Sequence, residues 1–187
     1  MMYINNLKEK LQSMMTEERF NHTEKTRDIA SEIASCYDID KEKVEIAALL
    51  HDCAKEMPKE EMKIWIYKYN IALDEIEEKE QGLWHQIVSA IIAKKDFGVK
   101  DQEILQAIRF HSTGDANMSL LAKIIYIADY IETWPDESIM QKAKEDIDLA
   151  LREVMIKKIN YIFNKSALLH PNSLSGYNWI IRCIQNR

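Results

Sequence analysis

The stretch Val44 to Ala54, VEIAALLHDCA, is apolar on nearly every helical face until two polar residues follow one another, His51 and Asp52. A helix that is apolar all round is buried on most sides. The stretch therefore predicts the central helix of an all-α protein, entered at Asp40 as its N-cap. Consecutive helical residues point about 100° apart, so His51 and Asp52 look in different directions from one place on the chain.

Outward from this stretch, helical periodicity continues and strand alternation is absent. Thr16, followed by Glu17 and Glu18, opens a helix to about Tyr37, and Pro58 in first-turn position opens another through Tyr69. Further helices are predicted at 84–95, 101–112, 119–133, 140–164 and 176–185. Gly98, Gly114, Pro135 and the stretch His170 to Gly176 punctuate them. Four glycines and three prolines in 187 residues leave few of the turns that an all-β or Rossmann-type chain needs. With 47% hydrophobic and 30% charged residues, 1–187 reads as a single globular domain.

The charge balance excludes other classes. A net charge of −6 without a long Lys/Arg block excludes a nucleic-acid backbone binder. Cys36, Cys53 and Cys183 lack C-x-x-C spacing, so neither a disulfide framework nor a thiolate zinc site is expected. Asn5, Asn6, Lys8 and Glu9 stand where a signal peptide would be apolar, and no run approaches the roughly 18 apolar residues of a membrane span. The expectation is a cytoplasmic protein with no membrane partner; self-association stays open.

Extending each apolar stripe by the 3, 4, 7 rule leads repeatedly to an imidazole or a carboxylate. Ile33, Ile29 and Thr26 lead to His22; Val44, Ala47 and Ala48 to His51, with Asp52 on the adjoining stripe. His85 shares a face with Val88, Ser89 and Ile92; His111 completes Ile104, Ala107 and Ile108; Asp129 completes Ala122, Ile125 and Tyr126. One such histidine is ordinarily a hydrogen-bonded core residue. Four of only five histidines, each on a different helix, are not. Burying such groups unpaired costs several kcal/mol each, and a shared metal would satisfy them all. Imidazoles and carboxylates without thiolates suit Fe, Mn, Co, Ni or Zn in an open site.

The ordered set His22, His51-Asp52 and Asp129 resembles the H...HD...D signature of the HD-domain metal-dependent phosphohydrolases. RFNHT (19–23), ALLHDCAK (48–55), HSTG (111–114), MSLLAKIIYIADYIE (118–132) and LLHPNSL (168–174) resemble the YqeK branch of that family, the symmetrical diadenosine tetraphosphate hydrolases. The resemblance implies an all-α HD-domain fold around a dinuclear centre, with iron first among the metals. His22, His51, Asp52 and Asp129 would hold one cation; His85 and His111, with Asp52 bridging, would hold the other. Water activated there would split a phosphoanhydride, with Asp52 and Lys55 in the catalytic set. Arg19, Lys55, His111, Ser112 and His170 become candidates for contacting the nucleotide. Met118, Tyr126 and Tyr130 read as core.

The chain departs from that pattern in three places. Ser112 stands where the family usually has Thr; Trp84 and Gln86 flank His85 where it tends to have Leu and Gly; and Glu132 is followed by Thr133, Trp134 and Pro135, so Pro135 replaces an expected arginine. A nucleoside monophosphatase or a guanosine polyphosphate hydrolase would use the same scaffold, as would an inactive nucleotide-binding sensor module that keeps its metals.

Overall fold

The computed structural model describes residues 2–187. Among them run eleven α-helices, a 3₁₀ turn at Gln81–Leu83 and no strand. The helices are α1 (Met2–Gln12), α2 (Glu17–Ala34), α3 (Lys41–Leu50), α4 (Lys59–Lys68), α5 (Glu75–Lys79), α6 (Trp84–Lys95), α7 (Gln102–Phe110), α8 (Leu120–Thr133), α9 (Glu137–Glu145), α10 (Ile147–Asn164) and α11 (Pro171–Gln185). The all-α class follows the sequence reading. No helix among the described residues is long and apolar enough to cross a membrane.

Side-chain caps set the helix starts. Thr16 accepts from the Arg19 N–H and Asp40 from those of Glu42 and Lys43. Asp101, Ser119 and Asp136 do the same for α7, α8 and α9. Each such cap stabilises its helix by about 1 kcal/mol. Two helices make the centre. In α3, Val44, Ile46, Ala47, Ala48, Leu49 and Leu50 are all buried, and α3 packs on α2, α7 and α8. In α8, burial runs almost unbroken from Leu121 to Ile131, and α8 packs on α2, α3, α7 and α10. Met118, Tyr126 and Tyr130 are in this core.

Several boundaries differ from the expectation. The sequence reading begins at Thr16, whereas α1 already docks Ile4, Leu7 and Leu11. The predicted helix 140–164 is two helices, because Asp146 leaves helical geometry (φ −150°, ψ 99°) and accepts from the N–H groups of Asp148 and Leu149. A short carboxylate offering the backbone that alternative ends one helix and starts the next. The central helix ends at Leu50, and 51–57 continue as turns: Cys53 N–H donates to Leu50 O, Lys55 to Asp52 O and Met57 to Ala54 O. The last helix starts at Pro171, not 176, because proline fits a first helical turn and His170 caps it.

Gly176 therefore lies inside α11, where a Cβ would stand 2.9 Å from the Asp115 carbonyl oxygen and 2.9 Å from Met155 Cε. Helix propensity alone favours Gly→Ala by about 1 kcal/mol. Overpacking against backbone costs about 1–3 kcal/mol and wins. Gly176→Ala is expected to lower stability by about 1 kcal/mol in urea unfolding; a gain would contradict this packing.

Candidate metal centre

Four imidazoles are oriented by the same device. The Nδ1–H of His51 donates to Ala48 O at 2.6 Å, that of His85 to Gly82 O at 2.6 Å, and that of His111 to Ile108 O at 2.8 Å. Each acceptor lies three residues earlier in the same turn. His22 turns its Nδ1 to the Glu132 carboxylate. A carbonyl or carboxylate can only accept, so every ring carries a proton on Nδ1 and, when neutral, presents its Nε2 lone pair.

Those lone pairs converge on two carboxylates. His22 Nε2 lies 3.7 Å from Asp52 Oδ2 and 3.6 Å from Asp129 Oδ1; His51 Nε2 lies 3.8 Å and 3.7 Å from the same atoms. The other Asp52 oxygen, Oδ1, lies 3.3 Å from His85 Nε2 and 3.1 Å from His111 Nε2. Asp52 thus turns one oxygen to each of two histidine pairs. Acceptors face acceptors, and His22 Nε2, His51 Nε2 and Asp52 Oδ1 are buried without a hydrogen bond. The separations are within the roughly 4 Å that two bonds of about 2.1 Å can span through a shared cation. The groups His22, His51, Asp129 and His51, Asp52, His111 could each hold a metal ion, and an imidazole–carboxylate set fits a divalent first-row metal.

Burial and charge oppose one another here. Burial pushes the Asp52 carboxyl up, but the imidazoles of His51, His111 and His85 outweigh it and hold it well below the usual range. Burial likewise raises Asp129, but Lys158 and His51 bring it down. Burial pushes His85 down to about 3 and lowers His111. On His51 burial is overcome by Asp52 and Asp129, and the net shift is upward. Both carboxylates are held ionised, as ligands must be.

Arg19 Nη1 lies 3.0 Å from Asp52 Oδ2, Lys55 Nζ 3.2 Å from His85 Nε2, and Ser112 Oγ 3.1 Å from the Nε2 atoms of both His85 and His111. A cavity of about 550 Å³ opens over His22, Asp52 and Asp129, with Arg19, Lys55 and Lys158 in its wall. His170, by contrast, is not brought to this cavity. Its Nδ1 accepts from the Asn172 N–H at 3.1 Å, so its proton is on Nε2, which lies 2.9 Å from Asp74 and 3.6 Å from Glu77. Nε2 is nonetheless buried without a hydrogen bond, and Asp74, Glu77 and His170 form a third group that could hold a metal ion.

Two residues were missed by the sequence reading. Glu132 orients His22, and Lys158 lies 3.4 Å from Asp129 Oδ2 and 3.2 Å from the His111 carbonyl. The stripe rule would have found both: Glu132 is one turn past Asp129, and buried Leu151, Val154 and Met155 lead to Lys158.

The HD domain family matches residues 19–134. The chain belongs to the HD-domain family. It is 35% identical over 175 residues to a protein of Bacillus subtilis named symmetrical bis(5'-nucleosyl)-tetraphosphatase, covering 91% of this chain and 94% of that one. A Halalkalibacterium halodurans protein of the same name is 36% identical over 171 residues, covering 89% and 91%. A crystal structure from Clostridium acetobutylicum, described as a predicted HD superfamily hydrolase involved in NAD metabolism, superposes with a TM-score of 0.90 at 35% identity over 96% of this chain and 97% of that one. In this HD domain Asp52 stands between the two histidine pairs, and the adjacent His51 belongs to one of them.

Glu77 gives the fold around His170 a pH signature. Burial pushes its carboxyl up, yet His170 and Arg109 beside it bring it to about 2 from an ordinary 4.5. A depressed carboxyl contributes stability above its unfolded pKa and loses it as pH falls through the folded one. Glu77→Gln is expected to cost about 2 kcal/mol at pH 7, with the gap to wild type closing between about pH 4.5 and 2. Urea unfolding across that range checks this; a gap independent of pH would contradict it.

Proposed function

We propose that this HD-domain protein is a metal-dependent phosphohydrolase that cleaves diadenosine tetraphosphate at its middle bridge to two ADP. The observation that carries the reading is the division of the Asp52 oxygens between two histidine pairs, and the relatives' names supply the substrate. His22, His51, Asp129 and Asp52 Oδ2 would hold one divalent cation, and His85, His111 and Asp52 Oδ1 a second; iron is our first choice. Bound there, the two cations would supply Lewis acidity, acidifying water and neutralising phosphate oxygens.

The chain's own groups do the rest. Arg19, Lys55 and Lys158 give the cavity three cationic side chains against a polyanion, compensating the phosphate charge that an arginine at Pro135 would otherwise meet. Such donors stabilise charge developing on the transferred phosphorus. Glu132 holds the tautomer of His22, and the carbonyls of Ala48, Gly82 and Ile108 hold the other three. Asp52 and Asp129 stay ionised, so neither donates a proton to the leaving group. An ADP leaving group needs none, because its departing oxygen is already an acidic phosphate. We also read the chain as one domain, since Ile4 of α1, Val154 of α10 and Ile180 of α11 join the same core as α3 and α8.

Chromatography of an early time point with added Fe, Co or Mn tests the cleavage position. ADP as the sole nucleotide product is expected; equimolar ATP and AMP would reject the middle-bridge reading, and saturable binding without turnover would favour a sensor module. Glu132→Ala should lower activity or metal affinity by about 10- to 100-fold, as loss of a ligand-orienting partner does. Excess metal should restore part of that activity, and an unchanged enzyme would remove Glu132 from the centre.

A further inference from the structure

Helix α8 breaks at Trp134. The Trp134 backbone is extended (φ −130°, ψ 86°) while its N–H still donates to the Tyr130 carbonyl. Pro135 enforces the break, because the residue before proline is driven out of helical geometry. The indole is left 44% exposed, with its ring centroid 5.2 Å from that of buried Tyr130 at a tilt of 37° and 5.7 Å from that of Tyr161 at a tilt of 53°. Tyr161 itself is 51% exposed.

Large aromatic rings left partly in water forgo part of the stabilisation that burying them would give. These two rings line the same cavity as Arg19, Lys55 and Lys158. Tyr161 lies one turn beyond Lys158 on α10, and Trp134 lies five residues beyond Asp129 on the α8 path. At about 1.5 Å per helical residue, the rings are displaced roughly 5–8 Å along the helices from the Asp129–Lys158 contact. One end of the cavity is therefore ionic and the other aromatic. That polarity matches a ligand with a flat aromatic body and a polyanionic tail, joined by a short spacer such as a ribose.

We infer that Trp134 and Tyr161 form the base-stacking platform of this site, holding one nucleobase while its phosphates run to Arg19, Lys55 and Lys158. The inference rests on the nucleotide reading above and adds the residues that take the base. Stacking is tolerant of base identity, since every base has a π-face. The contact with buried Tyr130 and the Trp134 N–H bond to the Tyr130 carbonyl position the indole before any ligand arrives.

The test compares ADP with inorganic pyrophosphate as probes on the metal-loaded protein, using wild type, Trp134→Ala, Trp134→Phe and Tyr161→Ala. Alanine substitution of a stacking partner weakens binding by roughly 5- to 150-fold. Trp134→Ala is expected to lose ADP affinity by about that factor and to keep its pyrophosphate affinity, with Trp134→Phe recovering most of the loss. The KM for diadenosine tetraphosphate should rise far more than kcat falls. ADP should quench tryptophan fluorescence in wild type and not in Trp134→Phe, although Trp65, Trp84 and Trp179 remain. Unchanged ADP affinity in Trp134→Ala, or equal loss of ADP and pyrophosphate, would overturn the platform. If wild type binds ADP through Trp134 but does not hydrolyse diadenosine tetraphosphate, the platform stands and the substrate reading falls. If hydrolysis proceeds with KM unchanged in Trp134→Ala, the platform falls and the substrate reading stands.

Discussion

The Asp52 carboxylate is the constraint on which the rest of the structure depends. It is 2% exposed and ionised, with an oxygen turned to each of two histidine pairs drawn from α2, α6 and the ends of α3 and α7. An uncompensated charge at that depth costs several kcal/mol, a large part of the 5–15 kcal/mol by which a domain is stable. Arg19 offsets some of this from the cavity side. The imidazoles of His51, His85 and His111 also favour its charged form, and the Nε2 atoms of His22 and His51, buried without hydrogen bonds, leave the last part of the compensation to a cation. The centre is thus arranged for a cation rather than for its own comfort.

Helix ends reinforce the arrangement. His51 is the C-cap of α3 and His111 the C-cap of α7, so both negative dipole ends lie where a cation would be held. His85 sits instead in the first turn of α6, at a positive end, and burial depresses its pKa to about 3. An imidazole kept neutral in that way is available as a ligand. The apolar stripes of α3 and α8 carry the packing that keeps these ends in register, which separates the residues that stabilise the fold from those that serve the site.

Much of this was legible in the sequence because apolar stripes are periodic and their polar terminators are few. The rule that found His22, His51, His85, His111 and Asp129 uses only local geometry. It failed where local geometry stops being helical. His51, by contrast, keeps helical backbone angles at the end of α3 (φ −56°, ψ −38°), so the stripe still reaches it. Asp146 splits the expected 140–164 helix by offering its carboxylate to two backbone N–H groups, which no stripe records. Resemblance puts His170 among the nucleotide contacts, whereas its turn makes it the N-cap of α11, with Nε2 turned to Asp74 and Glu77. Lys158 shows the converse: the stripe reaches it, but only the fold brings α10 against Asp129.

Anomalous diffraction from crystals of the iron-loaded protein tests the central claim most directly. The account predicts two anomalous peaks per chain on either side of Asp52, one contacting Oδ2 with His22, His51 and Asp129, the other contacting Oδ1 with His85 and His111. A single peak, two peaks that leave Asp52 on only one of them, or metal bound instead among Asp74, Glu77 and His170 would contradict it.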